Sequence, residues 1–178
     1  MKRLVAMLLA LLLTLSGLSA LAEDAARAET ISQLNLVVEE MLKKYGYNYE
    51  LEKDVFYMDF ELESALSSAK VEIRTYYDAV EVIVTADVRA TEANREKAAV
   101  YVALVNYRIF YAQLGINMDK GHIYSRGVQL VEGVLPGMEE LDVLFHMALN
   151  SLDDYGDGYA RVALTGADPY ETFKEVTK

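Results

Sequence analysis

Residues 55–85 read VFYMDFELESALSSAKVEIRTYYDAVEVIVT, and the fold is decided there. Phe56, Met58, Phe60 and Leu62 alternate with Tyr57, Asp59 and Glu61. Glu63 to Ala69 reads as a loop, after which Val71, Ile73 and Thr75 alternate with Glu72 and Arg74. Asp78 sits where a tight turn belongs, and Val80, Val82 and Val84 then alternate with Glu81, Ile83 and Thr85. A period of two places successive side chains on opposite faces, so each segment is a strand with one buried and one wet face. Upstream, Tyr47, Tyr49 and Leu51 repeat the pattern before a turn at Lys53-Asp54. Four strands joined by short connections predict an antiparallel meander.

Outward from the meander the period changes to that of a helix. Ile31, Leu34, Val38, Met41 and Tyr45 recur at steps of three and four, Thr30-Ile31-Ser32-Gln33 has capping-box spacing, and Gly46 is placed to end the helix in the left-handed conformation. The expectation is a helix over 30–45. A second helix opens at Thr91, with Tyr101, Leu104, Val105, Arg108 and Tyr111 on one stripe until Gly115. Segments 116–120 and 122–131 predict a fifth and a sixth strand turning at Gly121. After Pro136 a third helix carries Met138, Leu141, Leu144, Phe145, Ala148, Leu149 and Leu152, and its stripe continues through Tyr155, Tyr159 and Val162. A glycine costs a helix only ~1 kcal/mol relative to alanine, so Gly156 and Gly158 leave it continuous to about Leu164. The predicted order is α-β-β-β-β-α-β-β-α. It describes a single α+β domain, an antiparallel sheet of about six strands with helices on one side.

The N-terminus predicts the destination. Lys2 and Arg3 precede an apolar run from Leu4 to Leu15, Ser16-Gly17 breaks it, and Ala20-Leu21-Ala22 offers small residues at a cleavage site. That is the layout of a secretory signal peptide, cleaved after Ala22. The run falls short of the ~20 residues of a spanning helix, so no lasting membrane anchor is expected. The expected organisation is a signal at 1–22, a spacer at 23–29, the domain at 30–165 and a tail at 166–178. Losing Lys2 and Arg3 takes the formal charge from −11 to −13. A surface so acidic repels phosphate backbones and anionic lipid, which argues against nucleic acid as a partner. The chain has no cysteine, which excludes thiol catalysis, cysteine-ligated zinc and a lipid-modified N-terminus.

Motifs for chemistry fail on inspection. Asp153, Asp157 and Gly158 match positions one, five and six of a calcium loop, but Tyr155 and Leu164 stand where two further ligands belong. The only histidines, His122 and His146, have no metal-ligand spacing, and no Gly-x-Ser-x-Gly occurs in the expected mature chain. Glu39-Glu40, Glu61 with Glu63, and Glu139-Glu140 with Asp142 are read as solvated or helix-start acids. Thirteen tyrosines, clustered at Tyr45, Tyr47 and Tyr49 and at Tyr76-Tyr77, mark either a hydroxyl-tolerant core margin or a recognition surface. No catalytic, cofactor or metal residue is therefore assigned.

Leu104-Val105-Asn106 late in a helix, Met118-Asp119, Gly121, Ser125-Arg126 in a strand, and Leu152-Asp153-x-Tyr155 in a long amphipathic helix follow in that order. Together they resemble the YbjN family of bacterial proteins, associated with sensory transduction, whose fold is like that of type III secretion chaperones. The resemblance spans roughly Thr30 to Leu164 and implies this α+β fold with no catalytic residue. The functional expectation is an exported, non-catalytic binding module that meets a protein partner or a second copy of itself. Its alternative is a secreted hydrolase or carbohydrate-binding protein using surface carboxylates.

Overall fold

The computed structural model describes residues 2–177, with side chains from Leu21 onward. Helix α1 (Lys2–Tyr45) leads into β1 (Glu50–Glu52), β2 (Val55–Glu61), β3 (Ser68–Thr75) and β4 (Ala79–Arg89). After a 3-10 turn at Glu92–Asn94 come α2 (Arg95–Asn106), β5 (Gln113–Ile116), β6 (His122–Leu130), α3 (Met138–Asp154), α4 (Gly156–Thr165) and α5 (Pro169–Val176). The strands form one antiparallel sheet of six in the order β1-β2-β3-β4-β6-β5. The protein is an α+β domain with an open sheet, as the alternation predicts.

One sheet face is the core. Phe56, Met58, Val71, Ile73, Val80, Val82, Val84 and Ile123 are buried against Leu141, Phe145, Ala148 and Leu152 of α3 and against Leu34, Val38, Met41 and Leu42 of α1. Turn chemistry sets the register. Lys53 and Asp54 both have positive φ and join Glu52 to Val55, a two-residue hairpin loop with the twist that adjacent strands require. Gly46, at φ +73°, ends α1 with bonds from its own N–H to Lys43 O and from Tyr47 N–H to Leu42 O, a Schellman closure.

Five expectations are corrected. The first helix does not begin at Thr30, whose hydroxyl donates to Ala26 O at 3.0 Å from a helix interior. The preceding segment, rich in alanine and carrying the Glu23–Arg27 pair one turn apart, is itself good helix. The second helix stops at Asn106 instead of reaching Gly115, so Arg108 and Tyr111 belong to a loop. The fifth strand is Gln113–Ile116, not 116–120. Asn117 turns the chain there, its side-chain oxygen accepting from Asp119 and Lys120 N–H and its carbonyl from Gly121 N–H.

The long last helix is two helices broken at Tyr155. A Cβ at Gly158 would lie 2.1 Å from the Tyr101 hydroxyl oxygen, so only glycine lets α4 reach α2. Tyr101 in turn donates to Tyr155 O at the break. Finally, 166–178 is no tail. Asp168 caps α5 by accepting from Tyr170 and Glu171 N–H, Pro169 opens its first turn, and Thr172 is buried in the packing with α2 and α4.

The expected signal peptide and its cleavage after Ala22 fall almost wholly on residues whose side chains lie outside those described. Among residues described with side chains, no helix is long and apolar enough to cross a membrane.

Candidate functional site: the open face of the sheet

Helices cover only one side of the sheet, and the odd-numbered residues of β2 with their cross-strand partners line the other. Pairing registers define rows across that face. One runs Glu50, Tyr57, Glu72, Ile83, Arg126, Gln113 from one sheet edge to the other. The next runs Glu52, Val55, Arg74, Glu81, Val128, and a third runs Asp59, Lys70, Thr85, Tyr124, Gly115.

The centre of the face is ionic. Glu81 is only 4% exposed although it stands on the uncovered side. Arg126 Nε donates to one of its carboxylate oxygens, and Arg74 Nη1 lies 3.9 Å from the other, which also accepts from the Tyr76 hydroxyl at 3.3 Å. Arg74 also donates to Glu72 through Nε at 3.1 Å, and this bond holds its guanidinium above the ordinary arginine value against the opposing effect of burial. A buried carboxylate needs donors to replace its lost water, and here Arg126, Arg74 and the Tyr76 hydroxyl supply them.

Two grooves flank this centre. One of about 720 Å³ lies at the β1–β2 end, lined by Tyr49, Glu50, Glu52, Tyr57, Asp59 and Glu72 among others. The other, about 350 Å³, lies at the β5–β6 end between Phe110, Tyr111, Tyr124, Arg126 and Val128. The loop that overhangs it is Tyr107-Arg108-Ile109-Phe110-Tyr111, in which Tyr107 is 90%, Phe110 88% and Tyr111 73% exposed. Aromatic residues are the type most enriched among interface hot spots, and three stand bare here.

Neither sheet edge favours strand addition. On β5, Asn106 Nδ2 donates to Leu114 O and Leu114 N–H donates to Asn106 Oδ1, each at 2.8 Å, so one amide side chain occupies the edge as a neighbouring strand would. The opposite edge, β1, is short and carries Glu50 and Glu52. Short, charged or covered edges discourage pairing, which leaves the face as the accessible part of the sheet.

The residues singled out in the sequence lie elsewhere for the most part. Asp153 accepts N–H bonds from Glu63 (3.1 Å) and Ser64 (2.8 Å), and Asp157 accepts one from Ala65 (2.7 Å), so the acids of the incomplete calcium loop latch the β2–β3 connection to α3 and α4. Burial opposes the charge on Asp153, but the hydrogen bonds from Ser64 and Glu63 outweigh it and hold the carboxyl below the ordinary aspartate value. Among the described residues no three histidine or acidic side chains converge to hold a metal.

Tyr45, Tyr47 and Tyr49 form the seam between α1, α3 and the sheet. Tyr47 packs on Phe60 and Phe145, Tyr49 donates to Glu39 at 2.6 Å, and Tyr45 donates to Asp142 at 3.1 Å. His146 joins that seam, with Nδ1 3.0 Å from an Asp142 carboxylate oxygen and Nε2 3.4 Å from the Tyr47 hydroxyl. Glu140 accepts Gly137 N–H at the start of α3, a helix-start acid in the expected role. Tyr76 does lie on the open face, whereas Tyr77 stacks under Arg27 of α1. His122 stands on the rim of the open face; burial, then Arg89 and Lys120, lower its pKa against Asp87. The Glu81 cluster and the Tyr107–Tyr111 loop carry no local sequence signal. The first needs cross-strand register, and the second was hidden by extending α2 through Tyr111.

No family model matches this chain, and no curated protein matches it. Among solved structures it is similar to YbjN from E. coli, with a TM-score of 0.49 and 10% sequence identity, covering 72% of this chain and 87% of that chain.

Proposed function

We propose that this protein is an exported binding module that receives a protein partner on the open face of its sheet and carries out no chemical step. The observation that carries the reading is the uncovered face itself, flanked by grooves and by the bare aromatics of the Tyr107–Tyr111 loop, while Asn106 caps the β5 edge and β1 is short and acidic. Aromatic anchors beside charged, preformed groups supply most of the energy in protein interfaces, and the Glu81 cluster presets its arginines in place. The acidic composition disfavours nucleic acid. Export rests on the basic start, the apolar run and the Ala20-Leu21-Ala22 site.

Two experiments test this reading. N-terminal sequencing of the protein recovered outside the cytoplasm should begin at Glu23, and recovery with Met1 intact in the membrane would replace export with anchoring. Tyr57 should be replaced by the photo-cross-linker benzoylphenylalanine in producing cells. An adduct to any protein, including a second copy, supports the binding face. Absence of any adduct at this exposed position on the open face rejects it.

A further inference from the structure

Among the described residues, the five most exposed large apolar side chains are Tyr107, Phe110, Val134, Tyr111 and Leu21. All five lie toward one end of the sheet, the end that carries the β1–β2 and β3–β4 turns. Strand β6 finishes there, since Leu130 pairs with Ala79 and Val131 N–H donates to Asp78 O, so the connection bearing Val134 borders the β3–β4 turn. Strand β5 runs antiparallel to β6 and therefore starts at that end, which puts the loop of Tyr107, Phe110 and Tyr111 there as well. Exposed apolar residues concentrated in one region occur at sites of protein or membrane contact.

Helix α1 shows what stands next to this end. Asn35 bonds to Asp54 at 2.7 Å and to Thr75 at 2.6 Å beside the two turns, and about two turns of helix earlier Arg27 lies over the Tyr77 ring, 4.6 Å from its centre. Residues 21–29 are all exposed, so α1 leaves the domain past those turns. The apolar run Leu4–Leu15 is therefore joined to the domain here, with Ala22 only about 8 Å of helix from Arg27 at ~1.5 Å per residue. While that run sits in a bilayer, the bare aromatics are on the part of the domain nearest the lipid.

Charge does not drive such a contact. In the loops of this end Lys53 and Arg108 stand against Asp54, Asp78 and Glu132, and the emerging helix sets Glu23, Asp24 and Glu29 against Arg27. A surface of that balance is not drawn to anionic lipid. What it offers is apolar area and tyrosine rings with polar tips, the side chains that settle at the level of lipid headgroups.

We infer that this end of the domain is a lipid-facing surface, with Phe110, Tyr111 and Val134 entering the headgroup region of a zwitterionic bilayer. The surface is the end of the sheet, beyond the face assigned above to a protein partner.

The test uses the full chain in vesicles of brominated phosphatidylcholine, whose bromines quench only nearby fluorophores. The chain has no tryptophan, so Phe110→Trp makes a single probe at a position too exposed to disturb the fold. Its emission should be lost to quenching, whereas Met118→Trp, exposed in the turn at the opposite end of the sheet, should keep its emission. The quenching should persist at high salt, because entry of apolar area is not screened. Adding Tyr111→Ser and Val134→Ser to the Phe110→Trp chain should remove most of it, since binding scales with the apolar area entering the interface. Attachment through residues 1–22 is the same in both chains, so that loss reports insertion of the loops themselves. An unquenched Phe110→Trp, equal quenching of the two probes, quenching that vanishes at high salt, or quenching indifferent to the two serines overturns the inference. A protein adduct of benzoylphenylalanine at Phe110 without lipid quenching overturns it too and gives this end to a protein. Cross-linking at Tyr57 bears on the open face alone, so either reading can fail while the other stands.

Discussion

The two faces of the sheet are made from the same strands and differ in how they keep their residues from water. On the covered face Phe56, Val71, Ile73, Val82 and Val84 are shielded by helices, and their burial is apolar throughout. On the open face Glu81 is also buried, yet it is shielded by Arg126, Arg74 and Tyr76 reaching across from their own positions. The covered face gains stability from area removed from water, roughly 25 cal/mol per Å² of apolar surface. The open face gains little net stability from its ion cluster, because desolvation offsets most of the attraction. What the cluster provides is order: side chains already positioned on a surface that no helix occupies.

That contrast can be broken most severely from the covered side. Phe145 is fully buried between Tyr47, Phe60 and the sheet, so Phe145→Ala should cost about 3–5 kcal/mol in equilibrium urea unfolding, the usual range for a core phenylalanine. A loss below about 1 kcal/mol would show that α3 does not pack as described. Arg126→Ala should come next, at about 1–2 kcal/mol, because Glu81 loses its nearest charged donor and part of its shielding from water. Pairing that variant with Glu81→Leu should recover most of the loss. Failure to recover would mean that Arg126 acts elsewhere.

A smaller effect is expected at the β2–β3 latch. Asp153→Asn should cost about 1 kcal/mol at neutral pH, since two N–H donors lose their charged acceptor. The folded pKa of Asp153 lies below its ordinary value of 3.8, so its contribution is present above that value and is lost as pH falls through the lower folded one. Unfolding measured from pH 6 down to pH 2 should therefore show the variant and the parent converging at the acid end. Parallel curves would assign the loss to packing instead. The least effect on stability is expected from Phe110→Ser, within about 0.5 kcal/mol because the ring contributes so little to the fold. A large loss there would place the aromatic loop with the core and remove it from the binding surface.

The strands and their buried residues were legible because a period of two is a direct consequence of the pleat, and it persists from Phe56 to Thr85 with little interruption. The open face was legible only as the polar half of that alternation. That Glu81 meets Arg126 depends on β4 pairing with β6 across forty-five residues of sequence, and no local period encodes such a register. Helix ends were read less well. Thr30 has the residue type of a cap, but a cap also needs the preceding backbone to leave the helix, and the alanine-rich segment before it does not. The break at Tyr155 lacks a local signal for a different reason: helix propensity registers Gly156 and Gly158 only as weak helix residues, whereas they allow the close approach of Ser64, Leu66 and Tyr101.

The amino-acid sequence by itself determined the α+β class, the antiparallel alternation, the end of α1 at Gly46 and the acidic, cysteine-free composition. Each of these follows from chain-local physics, namely pleat, helical period, left-handed glycine and net charge. Only the tertiary structure decided that Asn106 would seal the β5 edge, that Asp153 and Asp157 would fasten a loop, and that one face would remain bare around a buried glutamate. Those outcomes require groups far apart in sequence to be brought within hydrogen-bonding distance, and only packing of the whole chain sets which of them meet.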